Sequence, residues 1–408
     1  MAAASGGCVA LDAGEGLWVA GPARVEVVEG CVSVVGFEAC SGDVLVVGGA
    51  RGATFVASGG RARVCIVAGS GAAYTRVPSG RVFEAWSSLV EKLEAEGASR
   101  IVVVGGMETG KSTLVTWLHN VLGLGVVEAD VGQNELGLPA CVAYSSDSRR
   151  AVALSDLEPS GCLFVGHVSA EKVMDLVVSA AVASARRLRG GFVVDTDGFV
   201  AGRGVYYKAA LAAALEADAV VVMGSAPALS AALRALGLRV YEAPAPELPR
   251  ERSRLDRRSF RQRMWSRLFS DAETVVLDGV PILGLCPASR EGDATVYHCP
   301  RATLTVAARA PPRGGGLRPG WEKGLLAAIA EGGTHTPALV ERIVDPVEGR
   351  VVVRASKRPA STEGLILGWV LIHSDYSEEH LPTGLHPETV LQRRTGRQQR
   401  RGQRPRPA

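Results

Sequence analysis

Several things are missing from this 408-residue chain. No run approaches the roughly 18 consecutive apolar residues that a membrane-spanning helix needs. The first residues lack a positive segment ahead of an apolar core, so they do not read as a secretory leader. Eight cysteines lie at 8, 31, 40, 65, 141, 162, 286 and 299, and no two have Cys-x-x-Cys spacing. That pattern argues against a zinc ribbon or a disulfide framework and fits a reducing interior. Seven histidines show no metal-ligand spacing either. A soluble cytoplasmic protein with no membrane partner is the expectation.

What is present is ordinary globular material, 47% hydrophobic and 21% charged, with 49 glycines that imply many tight turns. The length suggests two or three domains. The net charge of +3 is misleading, because residues 391–408 carry seven arginines and no acid. The body is therefore mildly acidic and its basicity local.

Residues 1–80 hold short β-type runs (Leu17–Ala20, Arg24–Val28, Cys31–Val35, Val44–Val47, Thr54–Ala57, Arg63–Val67) set off by glycine-rich turns, the pattern of a β-sandwich-like domain. Val82–Gly97 reads as an amphipathic helix. From 101 to about 243, apolar strands alternate with helical patterns, which predicts a mostly parallel, doubly wound α/β sheet with ligands at the carboxyl ends of its strands. A central domain over 81–271 contains this sheet and an arginine-rich segment at 250–269. Residues 272–372 return to short β runs with one helix near Trp321–Ala330, as a small mixed domain. Residues 373–408, rich in Arg, Gln and Pro from about 391, read as a disordered basic tail that cannot bury apolar surface.

The chain is organised around Ile101-Val102-Val103-Val104, an apolar strand that turns through Gly105-Gly106-Met107-Glu108-Thr109-Gly110 into the helix opened by Lys111-Ser112-Thr113. Glycines let backbone N–H groups converge on phosphate oxygens, and the helix N-terminus adds its positive dipole end. Lys111 can reach the outer phosphates and the Ser112 hydroxyl can hold Mg²⁺. Residues 105–113 are thus the expected cradle of a nucleoside triphosphate.

A later strand ends in Glu128-Ala129-Asp130-Val131-Gly132-Gln133. A carboxylate there can touch Mg²⁺ or accept a proton from an attacking hydroxyl, and Asp130 has the better claim to the base role. For Glu128 the choice between a supporting and a structural role stays open. Another strand ends in Asp195-Thr196-Asp197-Gly198-Phe199, where Asp-x-x-Gly suits a γ-phosphate or Mg²⁺ sensor and Phe199 can stack on a base. The arginines at 250, 254, 257, 258 and 261 follow helical spacing, which makes a ridge of guanidinium groups suited to a lid over phosphates. His167 is a candidate base, though a loop histidine with satisfied hydrogen bonds is the plainer reading.

Together these stretches resemble the polynucleotide 5′-hydroxyl kinases, archaeal type, the family of the RNA kinase subunit of the eukaryotic pre-mRNA cleavage complex. The resemblance rests on Gly105–Thr113, on Asp130–Gln133 with Gly137-Leu138-Pro139, and on Asp195–Phe199. It also rests on Arg252-Ser253, Arg257-Arg258, Arg261 and Phe269, and on Gly279–Gly284. It implies three domains, use of ATP with Mg²⁺, and γ-phosphate transfer to the 5′-hydroxyl of RNA, in some members DNA. By matched position it implies Lys111 on the β/γ-phosphates, Ser112 on Mg²⁺, Asp130 as general base, and Arg252, Arg257 and Arg261 as transition-state arginines. Gln133 and Phe199 would touch the nucleic acid. Phe199 stands where the family usually has tryptophan, and a phenyl ring keeps a π-face of smaller area. Past residue 373 the resemblance ends.

The alternative is a catalytically silent, ATP-binding scaffold subunit of an RNA-processing complex. Joint retention of Lys111, Ser112, Asp130 and the arginines speaks for the enzyme. A regulatory GTPase would need an Asn/Thr-Lys-x-Asp guanine motif, which the chain lacks. The arginine tail would bind nucleic acid only through phosphate charge, weakly and with strong salt dependence.

Overall fold

The structure, a computed structural model, describes residues 6–49, 51–77, 81–246, 253–307, 317 and 319–390. The chain folds as two compact units. The first comprises Met1–Leu138, Val142–Gly161 and Met174–Leu255; the second comprises Pro139–Cys141, Cys162–Val173 and Asp256–Ala408.

The first unit opens with one seven-stranded antiparallel sheet built on two long strands, Ala23–Val34 and Gly52–Ala68. The sequence suggested two short strands in place of each. Glycine does not end either ladder, because the register shifts around Glu29 absorb the irregularity as bulges and the strands run on. Alternate residues point inward, so Val25, Val27, Val32 and Val34 are fully buried along one strand.

Two disulfides cross this sheet, and they overturn the reading of a chain without a disulfide framework. Cys8–Cys65 and Cys31–Cys40 each join residues that face one another on neighbouring antiparallel strands. Pairing of this kind needs strand register and no short Cys-x-x-Cys spacing, so the spacing could not reveal it. A third bridge, Cys286–Cys299, lies in the second unit, while Cys141 and Cys162 are free thiols.

The same unit contains most of a seven-stranded α/β sheet, with Cys141–Ser145, Gly125–Ala129, Phe192–Thr196, Arg100–Gly105, Ala219–Met223 and Val240–Ala243 side by side in that order. Ile101–Val104, Val126, Val127, Val193 and Val194 are fully buried, as continuous apolar runs in a sheet covered on both faces should be. Neighbours are parallel except Cys141–Ser145, which runs antiparallel to Gly125–Ala129.

The P-loop helix, Lys111–Leu122, ties the two sheets of this unit together. Its Trp117 packs edge-on against Phe83 at 4.6 Å and Trp86 at 5.8 Å, both on the helix Arg81–Ala95. On its other side Trp117 meets Gly36, at a turn of the N-terminal sheet with φ of 84°. A Cβ at Gly36 would stand 2.6 Å from Trp117 Cδ1, so the turn needs glycine for conformation and for space. Asn120 adds a hydrogen bond from its side-chain amide to the Val35 carbonyl.

The second unit is β-rich. Its main sheet runs Glu273–Leu277, Arg350–Ala355, Thr334–Asp345, Leu325–Glu331, Gly364–Ile372, Ile282–Leu283, with Glu378–His380 also on Gly364–Ile372. A three-stranded meander, Ala288–Glu291, Ala294–Cys299 and Ala302–Ala307, accompanies it. The helix expected near Trp321–Ala330 is a strand here. Leu325–Ile329 are buried and flanked by partner strands on both sides, so tertiary pairing overrides the helix propensity of the alanines and leucines.

The arginine-rich segment forms a helix, Arg254–Phe269, within this unit from Asp256 onward. Trp265 and Phe269 anchor it in the core. No helix among the described residues is long and apolar enough to cross a membrane.

Candidate active site

The site begins where the strand Arg100–Gly105 ends. Glu108 and Gly110 take left-handed backbone angles, φ 62° and 87°, which roll the loop so that successive amides point into one concavity. Thr109 Oγ1 donates to the Gly106 carbonyl at 3.0 Å and holds the loop closed on itself. Lys111, 7% exposed, donates from Nζ to the same carbonyl at 2.6 Å. Ser112 follows in the helix's first turn and hydrogen-bonds Asp195. Met107 is 65% exposed on the loop, against Gly198 on its other side.

Two strand ends deliver carboxylates here. Glu128 and Asp195 are register partners on adjacent parallel strands and are both buried. Burial, and then Asp195 and Glu135 beside it, raise the Glu128 carboxyl well above the usual range. Its oxygens nonetheless accept backbone N–H groups from Glu135 at 2.8 Å and Leu136 at 2.5 Å. Glu128 is thus the fastening point of the loop that carries Asp130.

Asp130 lies one residue past its strand and accepts the amides of Gly132 and Gln133 through Oδ1, both at 3.0 Å. Burial and then the neighbouring Asp197 raise its carboxyl, opposed by Lys111. A raised carboxylate within a hydrogen-bonded turn is suited to accepting a proton. Asp195 is pushed up to about 6, mainly by burial, with Lys111 acting against it. Its Oδ1 is buried and accepts no hydrogen bond among the described residues, as is true of Gln133 Oε1. Such atoms are costly unless something else satisfies them. A divalent cation with its waters and phosphates fits beside Ser112 and Asp195, since Mg²⁺ takes one or two protein oxygens and completes its shell from phosphate and water.

Asp197 is fully engaged. It accepts the Phe199 amide at 2.8 Å through Oδ1, and Lys208 Nζ at 2.8 Å and the Tyr207 hydroxyl at 3.1 Å through Oδ2. Lys208 has no exposed side-chain surface. Burial lowers the ammonium's pKa and Asp197 counters it. The ring of Phe199 is half-buried over Gly204, with its Cγ 3.3 Å from where a Cβ would stand.

The structure therefore gathers Gly105–Thr113, Asp130, Gln133 and Phe199 in one unit, and adds Asp195, Asp197 and Lys208 to them. Arg257 and Arg261 stand on the helix of the second unit; Arg252, like Arg250, lies outside the described residues. Arg261 is 14% exposed and grips Glu378 by Nε at 2.8 Å to Oε1 and Nη2 at 2.9 Å to Oε2. Trp265 Nε1 donates to the same carboxylate at 2.7 Å. The expected guanidinium ridge is thus partly turned inward. Burial would raise Glu378, but hydrogen bonds from His380, Arg261 and Trp265 hold it near 2. His167 packs edge-on against His380 at 5.1 Å, and burial lowers it to about 4.

Sequence reasoning missed Lys208 as a partner of Asp197. Its signal was its phase, because it falls on the helix face of Leu211, Ala212 and Leu215, all buried.

Comparison with known proteins bears on the same residues. Residues 105–271 match the family described as mRNA cleavage and polyadenylation factor CLP1 P-loop. A polyribonucleotide 5′-hydroxyl-kinase from Thermococcus kodakarensis is 32% identical over 185 residues, 43% of this chain and 52% of the relative. One from Pyrococcus furiosus is 27% identical over 202 residues, 47% of this chain and 57% of the relative. The chain thus spans little more than half the length of these relatives. Among solved structures, a Clp1p in complex with Pcf11p superposes with a TM-score of 0.59 at 12% identity, covering 89% of this chain and 97% of the other. At that identity the likeness concerns the fold. From Gly105 to Asp271, through the phosphate loop and the two carboxylate-bearing strand ends, this chain is similar to the CLP1 P-loop family.

Proposed function

We propose that the protein is an ATP-dependent polynucleotide 5′-hydroxyl kinase that transfers the ATP γ-phosphate to the 5′-hydroxyl of RNA, with DNA as a second acceptor. The observation that carries this reading is the convergence of buried Lys111 and Asp195 with half-buried Asp130 at the mouth of a phosphate loop. Residues 105–113 bind the triphosphate, with Lys111 on the β/γ-phosphates. Mg²⁺, held by Ser112 with Asp195 behind it, would neutralise phosphate charge when bound. Asp130 takes the proton of the 5′-hydroxyl as its oxygen bonds to the γ-phosphorus, and the bond to the β-phosphate oxygen breaks to release ADP. Arg252, Arg257 and Arg261 stabilise the charge on the transferring group. Because Glu378 holds Arg261, its service to phosphate requires that pair to exchange partners. Gln133 and Phe199 position the terminal nucleotide.

The proposed location is the cytoplasm, where ATP and RNA meet. Three disulfides are compatible with it, since intracellular proteins of hyperthermophilic archaea can retain such bridges.

Transfer of radiolabelled γ-phosphate to a 5′-hydroxyl RNA tests the reading, with Asp130→Asn as the control. Asparagine keeps the Oδ1 acceptor for Gly132 and Gln133 and removes the base. Transfer should fall about 10²–10⁴-fold with ATP binding retained. A wild type that binds ATP and labels neither RNA nor DNA would instead support the scaffold role.

A further inference from the structure

Arg51 belongs by sequence to the N-terminal β-region, far from every motif of the site. Its backbone is pinned at the start of the long strand Gly52–Ala68, its amide donating to Gly48 O and its carbonyl accepting from Gly21, each at 2.9 Å. From there the side chain, 16% exposed, forms an ion pair with Glu135, itself 9% exposed. Both Nε and Nη2 of the guanidinium engage the same Glu135 oxygen.

Glu135 ends the loop that starts at Asp130. Its amide donates to Glu128, whose strand partner is Asp195. Three acidic side chains therefore crowd around one loop, and like charges at such spacing repel. Burial opposes the charge of Arg51, but Glu135, and then Glu128 and Asp195, hold its pKa above the ordinary guanidinium value. A buried charge paired with an opposite one fixes that partner's position, and its removal leaves the partner uncompensated.

We propose that Arg51 is a positioning residue for phosphoryl transfer. Acting through Glu135, it fixes the loop 130–136 and so aims Asp130, which makes the N-terminal β-sheet a working part of the site. The statement about transfer rests on the kinase reading above; the statement about the loop does not.

The test uses the full chain with Arg51→Gln, Arg51→Lys, Glu135→Gln and the Arg51→Gln/Glu135→Gln double variant. It measures kcat and KM for ATP and for 5′-hydroxyl RNA, together with amide hydrogen exchange. Each Gln variant should lose about tenfold or more in kcat, with KM for ATP within about twofold, because a misplaced base slows the step without weakening the nucleotide's cradle. The double variant should be no slower than the slower single one, and Arg51→Lys should recover part of the rate. Exchange should rise at Gly132, Gln133, Glu135 and Leu136, the amides that Asp130 and Glu128 hold. Multiplicative losses in the double variant overturn the proposal. So does faster exchange spread over the whole first unit, which marks a merely structural role. If the wild type transfers no phosphate, the kinase reading fails alone: exchange confined to 130–136 still sustains the clamp, and unchanged exchange removes it. Should Arg51→Gln not fold, Arg51→Lys and Glu135→Gln carry the same comparison.

Discussion

Gly198 shows how little room a single residue has beside the phosphate loop. A Cβ there would come within 2.5 Å of Met107 Cγ and 2.8 Å of Met107 N. The side chain can swing away and the backbone nitrogen cannot. Gly198→Ala should therefore push the loop out of register and weaken ATP binding about tenfold or more, while the protein stays folded; titration with a fluorescent ATP analogue checks this. Lys208 poses the opposite problem. Lys208→Met keeps the volume and strands Asp197 with only the Tyr207 hydroxyl and the Phe199 amide. Breaking a buried pair from one side costs about 3–5 kcal/mol, so urea unfolding should shift by that order. The stretch Gly105–Thr113 and the strand-end carboxylate Asp130 stand out in the sequence by residue type and spacing. The bond between Lys208 and Asp197 does not, because the partners lie on different elements and only the helix phase of Lys208 hints at it.

Among elements, the helix Arg254–Phe269 is the one whose sequence misleads most. Its arginines read as a guanidinium ridge suited to a lid over phosphates, but the turn that carries Arg261 and Trp265 closes on Glu378, which is 5% exposed. No feature of a run of arginines specifies an acid more than a hundred residues later. The pKa of Glu378 in the fold, near 2, lies below the ordinary value of 4.5. A carboxyl depressed in this way contributes stability that is complete above about 4.5 and is lost as the pH falls toward 2. His386, buried and lowered to about 4, acts in the same direction from higher pH, because its protonation below the ordinary 6.5 is penalised in the fold. Acid should thus loosen the second unit progressively below pH 6.5. Glu378→Gln should remove the lower part of that transition at a cost of stability at neutral pH, as thermal unfolding at stepped pH would report. The strand Leu325–Glu331 teaches a related lesson: six apolar residues without a period fit helix or strand equally, and their neighbours in the sheet decide.

At the scale of the whole molecule, composition marks a border near residue 80, and the fold carries side chains across it. Arg51 reaches Glu135, Asn120 reaches Val35, and Trp117 fills the space at Gly36. The alternation of strands and helices made the central sheet legible. The disulfides were not, because they depend on which strands lie side by side. Their distribution matters as well: two bridges sit in the N-terminal sheet and one in the second unit, and none touches the residues around the phosphate loop. Reduction should lower thermal stability, typically by about 2–5 kcal/mol per bridge, and leave the affinity for ATP nearly unchanged in the still-folded protein. Melting curves and nucleotide titrations with and without dithiothreitol check both halves. The Cys8–Cys65 bridge has one more result. It closes a ring of chain around the first sheet, so a peptide bond severed anywhere between residues 9 and 64 releases nothing. A protein nicked there should migrate on a denaturing gel as one piece until a thiol is added, and as two afterwards.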